Sequence, residues 1–378
     1  MAAFDPTAMR RLNGALTLRA LADAGGSVTI TQLVERTALS RRTTHLILET
    51  LVDEGWIDVV TLEPGAAGVG RPPRLFRFRP ENALIVGARI STAAAEAIVT
   101  DVTGTVLSRA RGALEDEADA AEIVRRTIAV VEQAIADCPA PADRIRALTI
   151  ATGGTVDADG RILSLPQQPK WTSFDLRSPF AERFPFPVFV ENDTNVAALA
   201  ERWRGVAAGV DTFIWYVAGN RSGAGIVIHD RLLRGVNGAA GEIVHADPLG
   251  IAALREHPAA LISSPFPDRQ RTARELYERA AAGDPDSVRI VEEFVGPVTR
   301  VIVTLAWTIA PPLIVLAGLL AGTPAQYLLE RIEAALADYD VPAFRLRVSA
   351  LGDDAFLLGG VRYALDELDA DIFGPLAG

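Results

Sequence analysis

Residues Ala83–Ala110 read "ALIVGARISTAAAEAIVTDVTGTVLSRA", apolar runs broken by two tight turns. The layout is strand, turn, strand, turn, strand. It returns at Thr212–Arg234, "TFIWYVAGNRSGAGIVIHDRLLR". The same three-stranded opening, at about 84–111 and again at about 212–234, predicts a duplicated α/β body of two lobes with a cleft between them. Two further stretches fit such lobes. Arg146–Ser164, "RALTIATGGTVDADGRILS", reads as strand, glycine turn and hairpin. Pro187–Gly205, "PVFVENDTNVAALAERWRG", reads as a buried strand running into a helix that starts near Asp193.

The chain has 378 residues, enough for two or three domains. It is 49% hydrophobic and 22% charged, an ordinary globular balance. Its single cysteine, Cys138, excludes an internal disulfide and a cysteine-built zinc site and suits a reducing cytoplasm. The opening "MAAFDPTAMRRLNG" lacks the apolar core of a signal peptide. Val301–Leu320, "VIVTLAWTIAPPLIVLAGLL", is uncharged and long enough to span a bilayer. Pro311-Pro312 cuts it in two, so the expected reading is a buried helix followed by a buried strand, with no membrane partner.

The net charge of −11 is unevenly spread. Residues 1–80 hold ten Arg and eight Asp or Glu, about +2, which leaves about −13 on the remainder. A small head that tolerates phosphates sits on a body that repels them. In the head, Leu16, Leu18, Leu21 and Ala22 lie near helical spacing before Gly25-Gly26. Thr31 is expected to cap a short helix through Thr37 with Leu33 and Val34 inward. Ser40 is expected to cap a longer one to Glu54, with Leu46, Ile47, Leu51 and Val52 on its inner face.

Helix, short turn, and a capped second helix with basic and polar residues at its start form a helix-turn-helix layout. Such a helix enters the major groove N-terminus first, which makes Ser40, Arg41, Arg42, Thr43, Thr44 and His45 candidate DNA contacts. The strand after Gly55, the loop "EPGAAGVGRPPR" and "LFRFRP" then read as a wing, with Arg71 of "GRPPR" offered to a minor groove. A small helical domain for protein contacts, its Arg-rich cap merely solvated, is the blander alternative.

Three stretches of the body, "VENDTNVAALAE", "GAGIVIHDRLLRGVNGAAGEIVH" and "ALGDDAFLLGGVRYALDEL", resemble the ROK family of bacterial sugar kinases and transcriptional repressors. "LSRRTTHLILETLVDEGWI" followed by "GRPPRLFRF" resembles the DNA-binding head of its repressor branch, the N-acetylglucosamine and xylose repressor type. The resemblance implies a winged helix-turn-helix over residues 1–80 and a duplicated actin- and hexokinase-like, ribonuclease H-like ROK domain over 81–378. Lobe one would cover about 81–195 plus the C-terminal helix, and lobe two about 196–355.

The resemblance also implies a site. Asn192 and Asp193 match the family's sugar-contacting pair, the Asp being the general base of the kinases. Glu242 and His245 match groups that bind sugar hydroxyls, Gly153 and Gly154 a turn at the cleft wall, and Gln167 a position where an Asn often contacts sugar. Three departures separate the chain from the kinases. Arg89, Ser91, Thr92 and Ala93 stand where the first phosphate turn has Asp, Gly, Gly and Thr; side chains block the backbone's approach to phosphate, and Arg89 cannot hold a cation. Asn220 and Arg221 alter the second turn, and Ala317 and Leu319 the adenosine side.

A fourth departure is the missing cysteine cluster after "GEIVH". His245 and His257 would need Asp247 or Glu256 to hold zinc, so no metal and no cofactor are expected. The implied protein is a repressor, a homodimer or homotetramer that binds operator DNA and a sugar or sugar-phosphate effector without phosphoryl transfer. A vestigial cleft governed by a protein partner, and a kinase with a regulatory head, stay open beside it. Arg42→Ala is expected to weaken operator binding by ~1–3 kcal/mol in a fluorescence-anisotropy titration; unchanged affinity removes Arg42 from the interface.

Overall fold

A computed structural model describes residues 6–60, 74–115, 119–165, 168, 171–219, 222–245, 249–318 and 323–368. The head comprises helix α1 (Pro6–Asp23), strand β1 (Val28–Thr29), α2 (Ile30–Thr37), α3 (Arg41–Asp53), β2 (Ile57–Val60) and β3 (Leu75–Phe78). The strands form an antiparallel sheet in the order β1-β3-β2. The loop that joins β2 to β3, Arg71 included, lies outside the described residues.

Cap chemistry sets the helix starts. Ser40 caps α3, its hydroxyl accepting from Thr43 N at 3.1 Å. The cap of α2 is Thr29, two residues before the expected Thr31. Gln32 decides this, because its side chain returns a bond to Thr29 N at 2.8 Å while Thr29 Oγ1 accepts from Gln32 N at 3.3 Å. This reciprocal pair satisfies two orphan donors at once.

The inner face of α3 is Thr44, Ile47, Leu48 and Leu51. Leu46, expected inside, is 58% exposed. The helical repeat through Ile47 and Leu51 selects Thr44 and Leu48 and turns Leu46 outward. In α1, likewise, Leu18 and Leu21 are fully buried while Leu16 is exposed.

The first lobe is built from β4 (Leu84–Ile90), β5 (Ala94–Asp101), β6 (Val106–Ala113), α4 (Ala120–Ala136) and β7 (Ile145–Thr152). A small sheet follows, β8 (Thr155–Val156), β9 (Arg161–Ser164) and β10 (Phe174–Asp175). Then come α5 (Arg177–Arg183), β11 (Val188–Asn192) and α6 (Asp193–Arg204). The second lobe has β12 (Phe213–Val217), β13 (Gly223–Ile228), β14 (Arg231–Leu232), α7 (Pro267–Ala281) and α8 (Pro285–Ile309). It ends with β15 (Leu313–Ala317), α9 (Thr323–Leu336) and β16 (Arg345–Val348); the C-terminal helix α10 (Asp354–Glu367) then returns to pack on β4 and β7 of the first lobe.

The duplication holds strand for strand. The first sheet runs β11-β7-β4-β5-β6 and the second β16-β15-β12-β13-β14. Each opens with an antiparallel hairpin, continues to a parallel neighbour of its first strand and ends on one more parallel strand beyond it. The apolar stretch at Val301 divides as expected: α8 ends at left-handed Ala310, and β15 begins after the prolines. Among the described residues no helix is long and apolar enough to cross a membrane.

Helices α6 and α10 pack face to face against the sheets, with small residues at the closest points. A Cβ on Gly359 would meet Val196 O at 1.9 Å, and one on Gly225 would meet Thr194 O at 2.4 Å. The head is fixed to this body by a continuous apolar cluster that joins Leu18, Leu51 and Trp56 to Ile85, Ile98 and Leu365. Arg79 N donates to Trp56 O at 2.9 Å, and Asn82 Nδ2 donates to Glu54 O, at the end of α3, at 3.2 Å. Gly359→Ala is expected to destabilise the fold by ~1–3 kcal/mol, because the added methyl meets rigid backbone; thermal unfolding should show a drop of a few degrees.

Candidate functional site

Three parallel strands of the first sheet, β4, β7 and β11, end at the same edge. Their register pairs Ile90 with Thr152 and Thr152 with Asn192. In open α/β sheets the carboxyl ends of strands line the ligand crevice. Here they form one wall of a cavity of about 80 Å3, and Ser222, Gly223, Glu242 and Val244 of the second lobe form the other. Gly153 and Gly154, Asn192, Asp193 and Glu242 all line it. The strand-end logic explains their meeting: Gly153-Gly154 follows β7, and Asn192-Asp193 joins β11 to α6.

The amide of Asn192 is fully engaged. Its Oδ1 caps α6, accepting from Thr194 N at 2.8 Å and Asn195 N at 3.1 Å. Its Nδ2 donates to Gly154 O at 2.8 Å and to Glu242 Oε1 at 3.1 Å. Asn192 therefore positions the two walls. Asp193 stands in the first turn of α6, where the helix dipole favours a negative charge. Burial, and then the nearby Asp193 charge, push the Glu242 carboxyl up to about 7. The pair thus offers a carboxylate that accepts and a carboxyl that both donates and accepts, a set suited to hydroxyl groups.

Beneath them lie Leu165 and the buried Trp171, an apolar floor. Neither carried a signal in the sequence beyond composition, and neither did Thr152 or Gln168. Gln167 lies outside the described residues; its neighbour Gln168 lines the cavity. His245 is a correction. Buried Ile243 anchors the short 3-10 turn Ile243–His245, which presents Val244 to the cavity and leaves His245 in solvent.

The β4–β5 turn closes on itself. Ser91 N donates to Ala94 O at 2.9 Å, and Ser91 Oγ accepts from Ala94 N at 3.0 Å. The amides of Ser91 and Ala94 are thus taken within the turn itself. Asn220, Arg221 and Leu319 lie outside the described residues. Asp247 does too, Glu256 is exposed against Arg269 at 3.4 Å, and His257 caps its own turn through Nδ1 at 3.3 Å. Among the described residues no three potential metal ligands cluster.

On the head, Arg41, Arg42 and His45 are exposed at the start of α3, while Ser40 and Thr43 hydroxyls bond each other at 2.8 Å. Thr44 is a second correction. It is fully buried and its hydroxyl returns to Ser40 O at 3.1 Å, so it cannot reach a groove. The residue that sequence patterning missed is Leu46. With Arg42, His45 and Glu49 it forms the outer stripe of α3, at spacings of three and four. An exposed Leu between polar groups suits a thymine methyl.

Residues 85–252 match the family model described as ROK family, and residues 13–60 match the IclR helix-turn-helix domain. Residues 85–252 of this chain form a ROK-family domain. The xylose repressor of Caldicellulosiruptor bescii is 26% identical over 239 residues, 63% of this chain and 59% of that protein. The xylose repressor of Bacillus subtilis is 28% identical over 242 residues, 64% of this chain and 62% of that one. The matched region thus spans about three fifths of these relatives.

A solved ROK family transcriptional regulator, a homologue of the E. coli MLC protein, superposes with a TM-score of 0.71 at 20% identity, covering 98% of this chain and all of that one. It shares the arrangement of a helix-turn-helix head on a two-lobe ROK body.

Folding favours protonated Glu242, whose carboxyl rises from 4.5 to about 7. Its stabilising share is therefore complete below about 4.5 and lost as pH rises through about 7. Glu242→Gln keeps the Asn192 bond and has no charge to gain. Its stability relative to wild type is expected to grow on the order of 2–3 kcal/mol from acid to mildly alkaline pH, measured by denaturant unfolding.

Proposed function

We propose that this chain is a DNA-binding transcriptional repressor whose ROK body senses a sugar or sugar derivative without transferring phosphate. The observation that carries the reading is one chain holding both an outward-facing capped helix and a hydroxyl-binding cleft whose phosphate turn is closed by its own side chain. The xylose repressors support the repressor role and a small sugar as effector. A DNA-binding role places the protein in the cytoplasm with its operator. No cofactor is required.

The control follows from how the walls are joined. Glu191 at the end of β11 accepts from Arg234 Nε, beyond β14, at 2.7 Å, and the Asn192–Glu242 bond spans the same gap. A sugar between Asp193 and Glu242 acts by preferring one lobe arrangement. That arrangement reaches the head through β4, the Asn82–Glu54 bond and the shared apolar cluster. In a homodimer or homotetramer, a changed lobe arrangement changes the spacing of two heads against two operator half-sites.

One observation favours the vestigial-cleft alternative: the Asn192 amide is taken up by bonds within the protein and His245 faces solvent. An operator selected from random DNA and titrated with pentoses, hexoses and their phosphates separates the readings. The expected result is a sugar that lowers operator affinity about tenfold, a coupling of ~1.4 kcal/mol. Asp193→Ala is expected to bind operator as wild type does and to lose that response. A flat response to every sugar favours a protein partner. Sugar-dependent ATP consumption that vanishes in Asp193→Ala overturns the repressor-only reading in favour of a kinase.

A further inference from the structure

A second cavity, about 210 Å3, lies across the β4–β5 turn from the first, with Ser91 lining both. Its walls come from both lobes: Arg89 of β4 and Glu96 of β5 on one side, Trp215 of β12 on the other, and Asp353 and Phe356 at the start of α10. Two of these side chains are buried donors without acceptors. Arg89 is 3% exposed, and its Nε and Nη2 have no hydrogen-bond partner among the described residues. Trp215 is 1% exposed, and its Nε1 is likewise unpartnered. Both rest on one ring. The Arg89 guanidinium stacks 3.5 Å from the centre of Phe356, and Trp215 meets that ring edge-on at 5.7 Å.

The nearby acids do not complete Arg89. Only Nη1 faces them, at 3.5 Å from Asp353 and 3.9 Å from Glu96. Asp353 is 75% exposed, so water screens its charge, and Glu96 lies closer to Arg111, at 3.2 Å. A buried cation whose Nε and Nη2 lack acceptors is costly to leave unmatched. That edge is the one that takes both oxygens of a carboxylate side-on.

We propose that this cavity is a second effector site for a small organic carboxylate. Its oxygens meet the Nε/Nη2 edge of Arg89, Trp215 Nε1 donates the third bond, and its apolar part lies on Phe356 and Val217. A single planar anion is the chemistry that fits. The unpartnered Nε and Nη2 lie side by side on one planar guanidinium, which matches the two oxygens of a single carboxylate. Because Arg89 and Trp215 belong to different lobes, the ligand bridges them and biases the same lobe arrangement that the first cavity senses.

The test is titration of the full chain with acetate, butyrate and benzoate, with benzamide as the uncharged match of benzoate and inorganic phosphate as a tetrahedral anion. Tryptophan fluorescence and melting temperature are read at up to ~10 mM, since stabilisation follows ligand concentration over Kd. The expected result is saturable quenching and a raised melting temperature with at least one carboxylate, absent with benzamide and phosphate. Arg89→Met, which keeps the stack on Phe356 and removes the unmatched charge, is expected to melt no lower than wild type and to bind that carboxylate at least about tenfold more weakly. Trp215→Phe is expected to weaken it severalfold. No response to any of the three carboxylates overturns the site. So does equal binding in Arg89→Met, or phosphate binding that matches the best carboxylate.

Discussion

The side-chain amide of Asn192 ties together the parts on which this structure depends. It starts α6 by satisfying two of the helix's orphan amides, and with its other end it holds Gly154 on one wall and Glu242 on the other. Remove that one group and the helix start, the glycine turn and the second lobe's carboxyl lose their common reference. Asp193 is placed by the same act, since it is the first residue of the helix that Asn192 caps. The cleft is therefore a consequence of how a strand hands over to a helix, repeated against a sheet that ends beside it.

In the first hairpin the strands and the turn answer to different constraints. The strands persist because β4 is central to the first sheet, flanked by β5 and β7, and its side chains are buried throughout. The turn is held by Ser91, whose hydroxyl bonds both the amide and the carbonyl of Ala94. Arg89 carries this further, since a buried guanidinium on Phe356 occupies the lobe interface from the other side. Stability of the lobe and chemistry of the turn are separable, and only the first constrains the strands.

Head and body are coupled by short-range contacts. Trp56 stacks on Phe78, its carbonyl accepts from Arg79, and the adjoining 3-10 turn Pro80–Asn82 delivers the chain into β4. The end of α3 is thus bonded to the residue two positions before the central strand of the first lobe. A rearrangement of that lobe has little slack through which to dissipate before it reaches the helix that faces DNA in the proposed function.

By itself, the sequence determined what depends on a few neighbouring residues. Hairpins at two places, the Ser40 cap, the break at Pro311-Pro312 and the paired Asn192-Asp193 are all local, and periodicity or cap chemistry reveals them. The errors at Thr31 and Leu46 were local too, and came from weighing one residue where its partner, Gln32 or Leu48, decides. Tertiary structure alone decided the rest, because the deciding contacts join distant segments. Arg89 meets Asp353, Asn192 meets Glu242, and Trp215 meets Phe356 across the body. Whether Thr44 and His245 point in or out, and whether Trp171 floors a cavity, depends on which neighbour fills the adjoining space. No pattern along the chain carries that information, since burial is a property of the packed molecule.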